Sequence, residues 1–167
     1  MRPHLFIAGA ALLVACTKPS PPPPPPPPPA PVVDDCTFET KLVPGVPGSP
    51  GHLIPSERNP NGASELATLM RRFVDDWRAA KTTLETDGGV VAPAFPVHRK
   101  IRCSWPTDPG DRNAQFDGLA QGYLAAVKKF DAAPSRETRE GVLDGCKACH
   151  EVTCGGPLEV IEGLRWK

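Results

Sequence analysis

The sequence has no surplus of charge and few aromatic residues: 19 Lys and Arg stand against 19 Asp and Glu among 167 residues, and 6% are Phe, Trp or Tyr. A protein that grips nucleic acid carries a clustered basic excess, so this balance excludes that class. Outside the N-terminus no window approaches the roughly 18 apolar residues of a membrane span, and the mature chain is expected not to cross a bilayer. Residues 64–167 hold no alternating apolar and polar stretch bounded by turns, so a sheet is not the organising element. Paired carboxylates, a nucleophile with its base and a phosphate-binding loop are also missing. The chain is therefore expected not to be a substrate-converting enzyme.

What is abundant is proline. There are 23 prolines, 11 of them crowded into Pro19, Pro21 to Pro29 and Pro31, and a globular domain must begin after that run. Before them, Arg2 and His4 precede the apolar stretch Leu5 to Val14, which has the length of an export-signal core and is too short for a transmembrane helix. Its end, Leu13-Val14-Ala15-Cys16, resembles the lipobox of bacterial lipoproteins, which implies cleavage after residue 15 and lipidation of Cys16. Several fatty chains on one residue give stable anchoring where a single chain does not. Thr17 in the next position, by resemblance to enterobacterial sorting rules, favours the outer membrane. The prolines from 19 to 31 are expected to form a polyproline II spacer reaching roughly 40 Å. Residues 32–60 remain rich in Pro and Gly and read as extended coil lying outside or across the domain. The expected organisation is a signal peptide at 1–15, a lipidated, disordered tether and coil at 16–62, and a helical domain at 63–167.

Within that domain Leu66, Leu69, Met70, Phe73, Val74 and Trp77 fall on one helical face, with Ser64 as a plausible N-cap and Asp87-Gly88-Gly89 closing the segment. Phe116, Leu119, Ala120, Tyr123, Leu124, Val127 and Phe130 form a second stripe. Ser135 then caps a third helix with Val142, Cys146, Cys149 and His150 on one side, ending near Gly155-Gly156. Between the first two, Pro96 to Trp105 is the one stretch that could be helical, and Pro157 opens a short final segment. The expected fold is all-α, a small four-helix bundle.

Cys146-Lys147-Ala148-Cys149-His150 is Cys-x-x-Cys-His, the attachment signature of c-type haem. Thiols three residues apart on a helix lie on neighbouring turns and can form thioethers with the two vinyl groups of one porphyrin. His150 can then ligate the iron. Covalent attachment suits an exported protein, because the cofactor is not lost by dilution. A thioredoxin-type redox motif needs a strand before Cys146, and none is read there. A zinc site would need further ligands from His150, Cys154 or Cys103.

The chain here resembles the class II, cytochrome c-prime-like monohaem cytochromes, which carry a haem motif near the end of the last long helix of a small bundle. The likeness extends to the opening helix at Ser64 to Arg71 and to the ending Cys146-x-x-Cys149-His150-x-x-x-Cys154-x-Gly156-Pro157-Leu158 followed by Ile161. It covers about residues 63 to 167. In low-spin members of that family a Met on the first helix is the sixth iron ligand, which implies Met70, the sole methionine once the leader is removed. His52 and His98 are alternative distal ligands, each more plausibly facing solvent. The resemblance implies an electron carrier with one covalent haem c, redox partner proteins, membrane attachment through the lipid anchor, a bacterial envelope location facing the periplasm or surface, and a homodimer as one option. If the distal face is open, it implies binding of small gases such as NO or CO.

Three cysteines remain: Cys36, Cys103 and Cys154. A Cys103–Cys154 disulfide would join the second helix to the turn after the haem helix and is the preferred pairing; Cys36–Cys103 would staple the coil to the bundle, and the sequence leaves both open. Arg71, Arg72, Arg99, Lys100, Arg102 and Lys147 are candidate partners for haem propionates, and Trp105 and Trp166 are candidates to flank the porphyrin.

Overall fold

The computed structural model describes residues 36–166 apart from Phe38, Asp87, Gly88 and Cys154. The leader, Cys16, the proline run and Cys154 lie outside the described residues. Residues 34–167 form one compact unit. Its described part is all-α: the only extended pairing there is an isolated bridge between Ile54 and Ala63.

Helix α1 spans Glu65–Leu84. It starts where the sequence places it, because the Ser64 hydroxyl accepts a hydrogen bond from the Ala67 N–H at 3.1 Å and so satisfies an orphan donor of the first turn. After a coil, α2 (Phe95–His98) runs into a 3-10 turn at Arg99–Arg102. This is shorter than the Pro96 to Trp105 helix expected. No local side chain caps α2. Its first N–H groups are satisfied across space by the Asp131 carboxylate, which accepts from Ala94 N at 2.9 Å and Phe95 N at 2.8 Å. A 3-10 turn at Pro109–Asp111 precedes α3 (Ala114–Ala132), capped by Asn113. Helix α4 (Arg136–Thr153) is capped by Ser135, whose hydroxyl accepts from Thr138 N at 3.1 Å. Pro157 precedes α5 (Leu158–Gly163).

The most extensive helix packing is between α3 and α4. Gly145 lies in this contact, where a Cβ would stand 3.4 Å from Tyr123 Cα, at van der Waals distance. The centre of the core is Trp77, Val127, Phe130, Val142 and Leu143, none more than 1% exposed. Trp77 meets Phe130 edge to face at 5.1 Å, a geometry that aligns ring edge with ring face.

The coil before α1 runs across the helices. Trp105 Nε1 donates to Val43 O at 2.6 Å, and Glu65 N donates to Gly48 O at 3.2 Å. Gly48 has φ +90°, and a Cβ on it would stand 2.3 Å from Glu65 N, so only glycine fits the crossing. The compact unit thus takes in residues that composition alone groups with the tether.

The disulfide expectation is overturned. Cys103 is bonded to Cys36, with Cα atoms 5.6 Å apart, and not to Cys154. The physical reason is the crossing coil, which carries Cys36 to the end of the 3-10 turn where Cys103 sits. The bond staples the coil to the helices over a separation of 67 residues.

Candidate functional site

Part of the α1 stripe packs against the core without being fully buried by it. Leu66, Phe73, Trp77 and Ala80 are buried, whereas Met70 and Val74 are only half-buried. Those two face a cavity of about 830 Å³, within the roughly 300–1,000 Å³ of pockets that enclose a small molecule or cofactor. Leu66, Ala67, Met70 and Val74 of α1 form one wall. Cys149, His150 and Thr153 of α4 form another, and Phe116, Pro157 and Val160 complete the apolar lining. Val160 remains 43% exposed at this site, so the polypeptide does not close it.

The two residues expected to ligate iron, Met70 and His150, therefore lie on one cavity although 80 residues separate them in the sequence. Cys149 lines it with them. Cys146 does not; it packs against the core beside Tyr123. Neither cysteine is in a disulfide. Burial pushes the Cys146 thiol up to about 12, helped by the neighbouring Cys149. Burial also raises Cys149, offset in part by a hydrogen bond from Thr153. Both are thus held as neutral thiols. No group of three or more His, Cys, Asp or Glu gathers into a metal cluster among the described residues.

The cavity also has charged residues in its lining. Arg58, Arg71 and Arg78 line it, with Asp75 and Asp111. Arg71 Nη1 donates to Ser56 Oγ at 3.3 Å, and Arg78 pairs with Asp75 at 3.2 Å, both of the latter exposed. Of the six cations expected to meet acidic groups of a cofactor, only Arg71 lines the cavity. Arg72 is paired with Asp76 at 2.8 Å, and Lys147 lies between Glu151 and Glu162. Arg58 and Arg78 were missed. Arg78 carried a signal, since Ala67, Met70, Arg71, Val74 and Arg78 recur at three- and four-residue steps on one helical face; Arg58 carried none.

His98 departs from expectation. It is fully buried and does not line the cavity. Its Nδ1 lies 2.5 Å from Tyr123 Oη and its Nε2 lies 3.3 Å from Asp76 Oδ2. Desolvation lowers it to about 4 despite the opposing pull of Asp76. His52 is exposed and also does not line the cavity. Trp105 and Trp166 are likewise elsewhere. Trp166 is surrounded by Lys81, Arg136 and Arg139, whose charged groups stand 5.5, 5.1 and 4.7 Å from its ring. Arg139, unexpected in a core, is fully buried; it donates twice to Trp77 O at 3.0 and 2.8 Å and once to Leu164 O at 2.9 Å.

The groups that line the cavity, a thioether sulfur, an imidazole, the Cys149 thiol beside it and three guanidinium groups, are donors a c-type haem uses, whereas Cys146, the other attachment cysteine, is packed against the core. No family model, curated protein or solved structure matches this chain.

Proposed function

We propose that the protein is an exported, lipid-anchored monohaem c-type cytochrome of the class II helical-bundle kind, which carries electrons through a His150- and Met70-ligated haem. The observation that supports this most is that Met70 and His150 share an apolar cavity left open by the polypeptide. When bound, haem supplies a one-electron couple; everything else is the work of the chain. Cys146 and Cys149 would hold the porphyrin by thioethers, and His150 and Met70 would be the protein's ligands to the iron, a pair that raises its potential. Leu66, Val74, Phe116 and Val160 exclude water. Arg58, Arg71 and Arg78, which line the cavity, would be the partners of the propionates. Cys16 carries the lipid that fixes the protein to the bacterial envelope, facing the periplasm or the surface, and the proline spacer lets the head reach redox partners.

Haem staining of a denatured band tests attachment. The ferrous optical spectrum with and without CO then tests ligation: a low-spin spectrum indifferent to CO is expected, whereas a CO-sensitive one assigns the chain to gas binding. Loss of label from radioactive fatty acid in Cys16→Ser tests the anchor.

A further inference from the structure

We propose that the loop between Ile54 and Ala63 is a carboxylate-binding wall of the cavity, in which Ser56 and Asn59 are positioning residues for the Arg71 guanidinium. Local chemistry closes the loop. At its base Ile54 N donates to Ala63 O at 2.9 Å and Ala63 N donates to Ile54 O at 2.8 Å. Within it Gly62 N donates to Asn59 O at 2.8 Å, and Gly62 turns the chain at φ +86°, where a Cβ would stand 2.8 Å from Leu53 Cβ. Ala63 leads directly into Ser64, the N-cap of α1, so the loop is anchored to that helix. Arg71 sits seven residues beyond the cap, about 10 Å along the axis, and the loop reaches it. Its Nη1 donates to Ser56 Oγ at 3.3 Å. With the Asn59 amide oriented to satisfy both its ends, Nη2 donates to the Asn59 side-chain oxygen at 3.0 Å. Residues 54–62 precede the stretch that resembles the class II cytochromes, so this wall is the chain's own.

What the wall recognises follows from how its charges are matched. Arg72 and Arg78 are paired with Asp76 and Asp75. Arg71 is held instead by two neutral acceptors, and among the described residues no carboxylate pairs with it or with Arg58. A guanidinium offers five N–H donors in a fixed fork, so the two held by the loop leave three for a planar anion. Fixing the fork before a ligand arrives removes part of the ordering cost of binding. Arg58 and Asn59 line the cavity with Arg71; of the two lining carboxylates Asp75 is engaged by Arg78, which leaves Asp111, and Glu57 of the loop is not in the lining. A positive excess thus adjoins the apolar surface of Leu66, Met70, Val74 and Phe116. The ligand this suits is a carboxylate on an apolar body. That the carboxylate is a porphyrin propionate rests on the haem reading, whereas the wall does not; a long-chain fatty acid presents the same chemistry.

The test uses the full chain made without haem. Mesoporphyrin IX, whose saturated side chains cannot form thioethers, and its dimethyl ester are titrated by porphyrin fluorescence, and dodecanoate by calorimetry. The diacid should bind about 10-fold more tightly than the ester, the low end for a charge-assisted contact at a half-buried site. Ser56→Ala should weaken the diacid about 3-fold and leave the ester unchanged, as expected for one neutral hydrogen bond. Ser56→Thr, which keeps the hydroxyl, should restore the diacid, and Arg71→Gln should abolish the preference. Binding of none of the three probes, equal affinities for diacid and ester, or a Ser56→Ala change that is absent or weakens both alike overturns the proposal. Haem staining of the exported chain is read separately. An unstained chain that binds dodecanoate, and loses it in Arg71→Gln, upholds the wall with a fatty acid as ligand and removes the haem; a stained chain without the acid preference removes the wall and leaves the haem.

Discussion

Replacing Cys36 and Cys103 together by Ser should destabilise the folded unit by about 4 kcal/mol. The bond joins residues 67 apart, and a cross-link of that span removes about 15 cal/mol/K of denatured-chain entropy, or about 4 kcal/mol at 25 °C. The change leaves Cys146 and Cys149 untouched, so it reports on this bond alone. The native contacts of the coil, Trp105 with Val43 and Glu65 with Gly48, remain available in the variant. Its cost therefore falls mainly on the unfolded ensemble. A urea titration followed by far-UV circular dichroism measures it. With a slope near 2 kcal/mol/M, the midpoint should fall by about 2 M, and the slope should rise because the uncrosslinked denatured chain exposes more surface. A midpoint lowered by less than about 0.3 M refutes the reasoning. So does carboxymethylation of Cys103 in the unreduced protein, or a variant in which protease cuts the coil while the global midpoint stays fixed. The last result would mean that the coil lies outside the cooperative unit.

Other perturbations test other parts. Met70→Ala should convert a low-spin spectrum to a high-spin, CO-reactive one, and an unchanged visible spectrum removes Met70 from the site. His98 is held near 4 in the fold against 6.5 unfolded, so the unfolded state binds more protons between those values and stability is lost as pH is lowered across that window. Urea titrations should show about 2 kcal/mol less stability at pH 5 than at pH 7 from this group, and His98→Phe should lose that component; an equal slope in the variant refutes it. Arg139→Met keeps the stem volume and loses the bonds to Trp77 O and Leu164 O, which should cost about 3 kcal/mol in the same assay. A cost below about 1 kcal/mol would mean the carbonyls find other donors. In the haem-free folded chain Cys146 should resist iodoacetamide at pH 8 and react once urea is added, because burial keeps its thiol protonated; equal labelling in both states, read by mass spectrometry, contradicts its placement.

The long helices were legible because their information is local. The stripes through Phe73 and Trp77 and through Tyr123 and Val127 repeat at helical spacing, and Ser64 and Ser135 stand where an exposed first turn needs an acceptor. The shared cavity followed from a motif on one helix and a stripe on another. What was not legible depends on pairings across distance. Proline and glycine around His98 suggest an exposed loop, but Tyr123 and Asp76, 25 and 22 residues away, draw it into the core. Arg139 reads as part of a polar first turn until Trp77 O and Leu164 O are brought to it. The cysteine pairing turned on where a coil without periodicity crosses the helices, and hydrophobic spacing says nothing of that.

Arg139 also sets an order of events in time. Its guanidinium joins a carbonyl in the middle of α1 to one just after α5, so elements from both ends of the helical sequence meet on a single buried cation. A chain delivered from its N-terminus presents α1 early and Leu164 late. Until Leu164 and Trp166 arrive, that cation lacks an acceptor and an aromatic face, and a partly completed interior carries an underpartnered charge. The buried contacts of Arg139 are therefore complete only once the residues that follow α5 are in place.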